Sequence, residues 1–167
     1  MRVLALVALT GLALAATACA TVEPAPPPSP AVAAAPTPVE GYDWFFHQDA
    51  AAARLAYGLE ASDDLRLGLD CDRASGRLSL SATGPKGAAP EIHLESGGET
   101  ERFAARSEPS ELHDGVFLTA EADTDAPVFQ RFRRIGWLAI WQDGARQAYA
   151  PHPQSAPDIE KFFAFCG

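Results

Sequence analysis

The sequence predicts a mainly β domain, an antiparallel β-sandwich or barrel-like fold with a short helix near residues 126–134 and a C-terminal helix packed on it. Two observations carry this prediction. Apolar residues recur at every second position in several short segments, as at Leu65, Leu67 and Leu69. Such alternation turns one face of a strand inward and the other toward solvent. Turn-forming residues separate the segments at short intervals, which is typical of antiparallel sandwiches and barrels.

The strand-like segments continue through most of the chain after Leu69. The later alternating apolar positions are Cys71, Leu78, Leu80, Ile92, Leu94, Val116, Leu118, Ala120, Leu138 and Ile140. The breaks between segments contain Ser75-Gly76, Gly84-Pro85-Lys86-Gly87, Ser96-Gly97-Gly98, Asp114-Gly115 and Asp143-Gly144. These residue types favour tight turns. Because Ser96-Gly97-Gly98 lies directly between two alternating segments, we expect a hairpin there.

Two helices interrupt or follow the strands. Asp125 is the expected N-cap of the first, with Pro127 in its first turn and Val128, Phe129 and Phe132 on its apolar side. In the second, Ser155 and Asp158 have the spacing of a capping box. The apolar positions that follow are Ile159, Phe162, Phe163 and Cys166, which share one helix face.

The N-terminal segment has the layout of an export signal. Arg2 supplies a positive charge, residues 3–16 form a nearly unbroken apolar run, and small residues precede Cys19. The sequence Ala16-Thr17-Ala18-Cys19 resembles a bacterial lipobox, which implies cleavage before Cys19 and acylation of that residue. The pattern Ala16-x-Ala18 also fits an ordinary cleaved signal, so that alternative stays open. The apolar run is shorter than the roughly 20 residues of a transmembrane helix.

The segment after Cys19 is rich in proline and alanine. Seven of the 14 prolines lie in residues 20–40, and such a composition favours an extended, polyproline-like chain without a core. We therefore expect a signal peptide at 1–18, a lipidated Cys and a disordered tether at 19–40, and a single β-rich globular domain at 41–167. A domain of that length can enclose one hydrophobic core.

The three cysteines predict one disulfide. If Cys19 carries lipid, Cys71 and Cys166 remain as a pair, and an exported protein occupies an oxidising compartment. The bridge would close a long loop and, in the chain-entropy model, contribute about 4–5 kcal/mol before strain is subtracted. It would also hold the last helix against the strand that ends near Cys71.

The expected contact surface carries Trp137 and Trp141, which occupy the same face of one predicted strand. Aromatic rings in that spacing suit stacking on a sugar or on an apolar partner, and packing in the core is the alternative. Three neighbouring arginines could bind a phosphate or carboxylate of a ligand, or could pair with nearby carboxylates. They are Arg131, Arg133 and Arg134.

Two acidic patterns are weaker candidates for chemistry. Asp70 and Asp72 flank Cys71, and Glu91, His93 and Glu95 share one face of a predicted strand. The first could serve acid–base catalysis or bind a cation, and the second could ligate zinc. Alternating polar residues on the solvent side of a strand produce the same patterns. No motif of a hydrolase, metalloprotease or P-loop is present, so we expect no enzyme activity, metal or cofactor.

The chain as a whole resembles the small exported bacterial lipoproteins of unknown function. The resemblance rests on Cys19 with its preceding apolar run, the Pro/Ala tether, the Tyr57–Cys71 region and the closing residues 162–167. It implies a lipid-anchored envelope protein, and Ala20 after the lipid-bearing Cys implies the periplasmic face of the outer membrane.

The expected function is a non-enzymatic binding or structural β-domain whose partners are the membrane, through acylated Cys19, and an envelope protein or glycan. A cell-wall-directed hydrolase or an enzyme-inhibitor lipoprotein is the alternative. The net charge of −9 disfavours nucleic acid as a partner, because phosphate backbones are bound by basic surfaces.

Overall fold

The computed structural model describes residues 35–111 and 114–167. Within them the chain forms nine strands and two helices. The strands are β1 Tyr42–Gln48, β2 Ala52–Leu59, β3 Leu65–Asp72, β4 Arg77–Pro85, β5 Glu91–Ser96, β6 Glu99–Pro109, β7 Gly115–Asp123, β8 Leu138–Gln142 and β9 Ala145–Tyr149. The helices are α1 Pro127–Ile135 and α2 Ala156–Cys166. The signal peptide, Cys19 and the tether up to residue 34 lie outside the described residues, so those predictions remain predictions.

All nine strands belong to one antiparallel sheet, in the order β1-β2-β3-β4-β7-β6-β5-β8-β9. The sheet curls until it is nearly closed into a barrel, which confirms the predicted mainly β, barrel-like class. The hairpin at Ser96-Gly97-Gly98 is also confirmed, because it joins β5 to β6 with Ser96 opposite Glu99. Strands β1 and β9 are the two ends of the order, and the barrel remains open between them.

The core lies on the inner face of this sheet, where both helices pack. Alternate residues of the strands point inward, as Leu55 on β2 and Leu80 on β4 do, and both are fully buried. The aromatic side chains of the helices fill the space between: Phe132 of α1 packs 5.0 Å from Trp44 of β1, and Phe162 packs 5.3 Å from Phe163. Burial of these rings is the main force that holds the helices in the barrel.

The helix caps differ from the sequence prediction. Ala126, not Asp125, is the N-cap of α1 and its own side chain makes no capping bond; instead the backbone N–H of Val128 donates to Oε2 of Glu101 at 3.2 Å. Ser155 is the N-cap of α2 as predicted, but its backbone is helical and its hydroxyl makes no capping bond. The capping box with Asp158 is therefore wrong. A helical N-cap aims the side chain away from the amides of the first turn, since capping requires extended dihedrals.

Asp43 of β1 takes the place of the missing capping box. Its Oδ1 accepts hydrogen bonds from the backbone N–H of His152, at 3.0 Å, and from the hydroxyl of Ser155. The backbone N–H of Trp44 donates to the same oxygen at 2.8 Å. One carboxylate thus ties the start of α2 to an edge strand of the barrel.

The predicted cysteine pair is confirmed. The Cα atoms of Cys71 and Cys166 lie 5.7 Å apart, at disulfide distance, and the pair spans 95 positions of the chain. The backbone N–H of Gly76 also donates to the carbonyl of Cys166 at 2.9 Å. The end of α2 is consequently fastened to β3 and to the turn after it.

Candidate functional site

The opening between the two ends of the sheet forms a cleft, called here the seam cleft. Its volume is about 350 Å³. It is lined by Val39, Tyr42, Tyr57, Arg66, Gln147, Ala148 and Tyr149. Side chains and not a strand ladder bridge the opening, since Nε1 of Trp44 donates to the carbonyl of Tyr149 at 3.2 Å. The volume of the seam cleft lies at the lower end of the range of about 300–1,000 Å³ that small-molecule pockets span.

Three tyrosines build the wall of the seam cleft. The ring of Tyr149 lies 4.5 Å from that of Tyr57, with 23° between their planes. The ring of Tyr42 lies 6.0 Å from Tyr57 at 24°. The register of β1 and β2 explains the contact between Tyr42 and Tyr57. Trp44 lies opposite Tyr57, so Tyr42 is the diagonal neighbour of Tyr57 on the same face. Tyr149, the last residue of β9, reaches Tyr57 because the sheet curls.

A β-bulge directs Arg66 toward the cleft. Tyr57 pairs with Leu67 and Gly58 pairs with Leu65, so Arg66 is the extra residue of β3. Bulges redirect side chains in this way. Gly58 makes room for the bulge, because a Cβ at that position would lie 2.7 Å from the carbonyl oxygen of Asp64.

Arg66 is part of a small polar network at the cleft. Its Nη2 donates to the hydroxyl of Tyr42 at 3.2 Å and to Oδ2 of Asp64 at 2.9 Å. The hydroxyl of Tyr42 in turn donates to Asp64. The hydrogen bond with Tyr42, followed by the charge of Asp64, raises the pKa of Arg66. Arg66 and Asp64 therefore form an ion pair with no net charge, and Arg66 is not a free cation.

The hydroxyl of Tyr57 is buried and has no hydrogen-bond partner among the described residues. The residue is only 2 % exposed. Burial, with a smaller contribution from the charge of Asp43, raises the pKa of Tyr57 to about 12. Burial also raises the pKa of Tyr149, whose hydroxyl donates to Oε1 of Gln147 at 3.3 Å. Both phenols are therefore neutral at pH 7. A buried polar group without a partner costs about 1–3 kcal/mol, so a group that completes the hydrogen bonding of the Tyr57 hydroxyl would be favoured.

A second cavity adjoins the seam cleft. It has a volume of about 420 Å³ and shares Arg66, Gln147 and Tyr149 with it. Asp64 and Gln142 are among its other lining residues. Together the two cavities are lined by three tyrosines, two glutamine amides and the Arg66–Asp64 pair, with Asp63 and Asp114 in the second cavity.

The structure places Trp137 and Trp141 in different environments. Trp137 precedes β8, is 2 % exposed, and packs with Ala139 and Ala150. The guanidinium of Arg146 lies 5.2 Å above its ring. Its ring is therefore buried in a small cluster separate from the main core, and the expected surface of two exposed indoles is not formed.

Trp141 is half-buried on the outer face of the sheet. Its ring stacks on His93 at 6.2 Å, and its Nε1 donates to Oε2 of Glu95 at 2.7 Å. Glu95 is 5 % exposed and forms a bidentate pair with Arg146, at 2.8 and 2.9 Å. These hydrogen bonds, with that of Arg146 the largest, lower the pKa of Glu95. The indole is thus held in a cross-strand network.

The possible zinc ligands Glu91, His93 and Glu95 have other partners. Glu91 pairs with Arg102, and Glu95 pairs with Arg146 as above. Burial lowers the pKa of His93, and its Nε2 is buried without a hydrogen-bond partner in the described part of the chain. Within residues 35–111 and 114–167, no three His, Cys, Asp or Glu side chains form a group that could hold a metal ion.

The three arginines of α1 do not form one anion site. Arg131 donates to the carbonyl of Ser96 at 2.9 Å and pairs with Glu99 at 2.8 Å. Arg133 forms a bidentate pair with Glu160, at 3.0 and 2.7 Å, which lowers the pKa of that carboxyl. Arg134 is exposed. Two of the three guanidinium groups are therefore occupied by the protein's own carboxylates and carbonyls.

The acidic pair beside Cys71 lies on the outer face of the barrel. Asp70 is bound by Arg54 of the neighbouring strand, at 2.6 and 3.0 Å, and Asp72 is exposed. Both line a broad surface depression of about 610 Å³ together with Arg77, Ser79 and Glu121 among others. The arrangement is that of a solvated strand surface with a cross-strand ion pair.

One cluster has the residue types of a nucleophilic triad without its geometry. Ser155, His152 and Asp43 lie together, but the Ser155 hydroxyl donates to Asp43 and to the carbonyl of His152. The imidazole Nε2 of His152 lies 3.2 Å from the carbonyl of Val39. A triad requires the imidazole to accept the serine proton, and here the cluster anchors α2.

The sequence reasoning missed the residues of the seam cleft. Tyr57 continues the alternation of Ala53 and Leu55, and this signal could have identified β2. From the sequence, Arg66 would be assigned to the solvent-facing side of β3. The alternation of Leu65, Leu67 and Leu69 is the same with or without a bulge, so it does not reveal one. Comparisons of the chain with family models, curated proteins and solved structures found no match. No helix among the described residues has the length and apolar character to cross a membrane.

Proposed function

We propose that this protein is a lipid-anchored component of the bacterial cell envelope whose barrel domain binds a ligand in the seam cleft without transforming it. Acylated Cys19 holds the chain to the membrane, at the periplasmic face of the outer membrane. The Pro/Ala-rich segment separates this anchor from the barrel.

The unpartnered hydroxyl of Tyr57 carries the binding part of the proposal. Native proteins leave few buried polar groups unsatisfied, and a water, an ion or a ligand can complete the hydrogen bonding of one that lacks a protein partner. This hydroxyl lies in a wall of stacked tyrosines that borders about 350 Å³ of space. A cleft lined mostly by aromatic rings, with a few fixed polar groups, has the composition of a small-ligand site.

The sequence around Cys19 supports the membrane part of the proposal. Small residues precede Cys19 at the end of the apolar run, where a lipidated cysteine must lie. Each buried CH₂ of an acyl chain contributes about 0.8 kcal/mol, and two or more chains hold a protein stably. The acidic chain gains little from anionic lipids, so the acyl chains must supply the affinity.

The alternative, a cell-wall hydrolase or an enzyme inhibitor, has less support. The Ser155–His152–Asp43 cluster lacks the geometry of a nucleophile and its base. The carboxylates Asp64 and Glu95 are each engaged by an arginine. The tyrosine-lined cleft, by contrast, has an unused hydrogen-bonding group.

Two measurements test the anchor. Mass spectrometry of the mature N-terminus should find diacyl or triacyl mass on Cys19, and membrane fractions should retain the wild-type chain. The Cys19→Ser variant should move to the soluble fraction. A mature chain that begins at Cys19 with a free thiol, or a membrane-bound Cys19→Ser variant, contradicts this part of the proposal.

Site-specific crosslinking tests the binding. A photo-reactive residue in place of Gln147, which is exposed at the seam cleft, should capture an envelope molecule in living cells. The same residue in place of Lys161, which is exposed on α2 and lines neither the seam cleft nor the adjoining cavity, is the matched control. Equal capture at both positions, or none at Gln147, would refute the seam cleft as the binding site.

A further inference from the structure

We propose that the ligand of the seam cleft is a neutral, hydroxyl-rich ring, such as a sugar unit of an uncharged glycan. This inference rests on the proposed function and adds the chemical class of the ligand. It follows from three properties of the cleft: its charge balance, its hydrogen-bonding groups and its aromatic wall.

The charge balance disfavours an ionic ligand. Arg66 is the cationic residue that lines the cleft, and Asp64 neutralises it through contacts of 2.9 Å. The phenol of Tyr57 is neutral at pH 7 and lies in the field of Asp43. Because Asp64 already balances the charge of Arg66, an anion gains no net attraction there, and Asp63 and Asp114 of the adjoining cavity repel it. A cation would be attracted by those two exposed carboxylates, which border the adjoining cavity and not the tyrosine-lined cleft. A neutral ligand leaves the Arg66–Asp64 pair intact.

The hydrogen-bonding groups match hydroxyls. The Tyr57 hydroxyl can both donate and accept, and the amide of Gln147 at the rim supplies a donor and an acceptor. Gln142 lines the adjoining cavity as well, where its Nε2 donates to the carbonyl of Thr83 and its amide oxygen can accept from a ligand. A sugar hydroxyl also donates and accepts, so one ring can satisfy several of these groups together. An entirely apolar ligand would leave the Tyr57 hydroxyl unsatisfied.

The aromatic wall supplies the apolar side of the same recognition. The ring of Tyr42 is half-buried, and Tyr57 and Tyr149 stack behind it at 6.0 and 4.5 Å spacings. The stack is rigid because neighbouring strands hold two of its members. A sugar ring has an apolar C–H face and polar edges, so it suits a site lined by both aromatic rings and amides.

The test compares a neutral with an acidic oligosaccharide on the full chain purified in detergent. Isothermal titration should detect binding of tri-N-acetylchitotriose and weaker binding of trigalacturonate. Tyr57→Phe should reduce affinity for the neutral sugar about 3- to 10-fold, as expected for one hydrogen bond. The same variant should unfold at an unchanged or higher urea concentration, because its missing hydroxyl had no partner. Trp141→Phe, on the outer face, is the control and should bind as the wild type does.

A second variant tests the site at an exposed residue, where a substitution should not disturb folding. Gln147→Ala changes an exposed rim residue and should also weaken sugar binding. Unchanged affinity in both cleft variants, or preference for the acidic sugar, would overturn the inference. If neither sugar binds while the Gln147 crosslinker still captures a protein or an acidic molecule, the ligand class is wrong and the proposed function survives. If neither sugar binds and nothing is captured, both fail.

Discussion

The rings of Tyr57 on β2 and Tyr149 on β9 stack across the open side of the barrel, with their centroids 4.5 Å apart. The two strands are not neighbours in the hydrogen-bonded sheet. The stack therefore helps to close the barrel by side-chain packing, where backbone pairing stops. The same two residues border the seam cleft, so stability and ligand binding depend on one feature.

Replacing Tyr149 with Ala should destabilise the protein strongly. The change removes a buried ring from the closure and leaves a cavity, and large-to-alanine changes of aromatic core residues cost about 3–5 kcal/mol. Urea unfolding followed by circular dichroism measures the free energy of unfolding. Gln154→Ala, at an exposed position before α2, should change it by less than about 0.5 kcal/mol. A loss below about 1 kcal/mol in the Tyr149 variant would show that the stack contributes little to closure.

Removing the disulfide should lower stability through the unfolded state. A Cys71→Ala/Cys166→Ala variant releases a loop of 95 positions, and loss of native disulfides typically costs about 2–5 kcal/mol. Adding reductant to the oxidised wild type should lower its urea midpoint toward that of the variant. The Cys19→Ser protein should lose the same stability on reduction. If reductant did not change the urea midpoint of Cys19→Ser, Cys71 and Cys166 would not be disulfide-bonded in the purified protein.

The carboxylate of Asp43 should matter more than that of Asp158. Asp43→Ala leaves the amide of His152 without its acceptor and frees α2 from β1, which should cost about 1–3 kcal/mol. Asp158→Ala removes a partly exposed pair with Lys161, worth less than about 1 kcal/mol. Urea midpoints of the two variants provide the comparison. A larger loss in the Asp158 variant would restore the capping box and contradict the structure.

Acid should weaken the fold through His93. Burial lowers its pKa below the 6.5 of the unfolded chain, so the unfolded state binds the proton more readily. This contribution to stability is present above pH 6.5 and is lost as the pH falls toward the lower, folded pKa. The charged groups facing His93 from its own and neighbouring strands are Glu91, Glu95 and Arg102, with Arg146 beyond Glu95.

The measurement is the urea midpoint at pH 7.5 and pH 5.5. His93→Gln should narrow the difference between the two, because the variant has no imidazole to protonate. The exposed His47→Gln control should keep the wild-type difference. Glu95 affects stability only at lower pH. Its pKa in the folded protein is below the ordinary value of 4.5, so its contribution to stability is lost as the pH falls below 4.5. If the urea midpoints of His93→Gln at pH 7.5 and pH 5.5 differed as much as those of the wild type, groups other than His93 would cause the acid sensitivity.

Much of the fold was predictable from local patterns. The alternation at Leu65, Leu67 and Leu69 identified β3, and Ser96-Gly97-Gly98 identified the β5–β6 hairpin, because strand pleat and turn dihedrals depend on adjacent residues. The apolar face of α2 was likewise visible from the spacing of Phe162 and Phe163. The cysteine pair followed from the even number of cysteines left after Cys19 and from the expected export to an oxidising compartment.

Other features depended on distant neighbours. Trp137 fits a surface strand equally well in sequence, and Ala150 and Arg146 of later segments pack against its ring and bury it. The spacing of Ser155 and Asp158 suits a capping box, yet Asp43, 112 positions earlier than Ser155, binds that hydroxyl. Propensity and spacing describe a segment by itself, whereas these outcomes arise from contacts between segments.

The sequence by itself determined the class of the fold, the positions of most strands and both helices, and the choice of Cys71 and Cys166 as partners. The tertiary structure alone decided that Tyr42, Tyr57, Arg66 and Tyr149 share one cleft. Local periodicity sets which side chains point inward. The sheet order, the bulge that redirects Arg66 and the incomplete closure between β1 and β9 set which of them meet, and these are properties of the whole barrel.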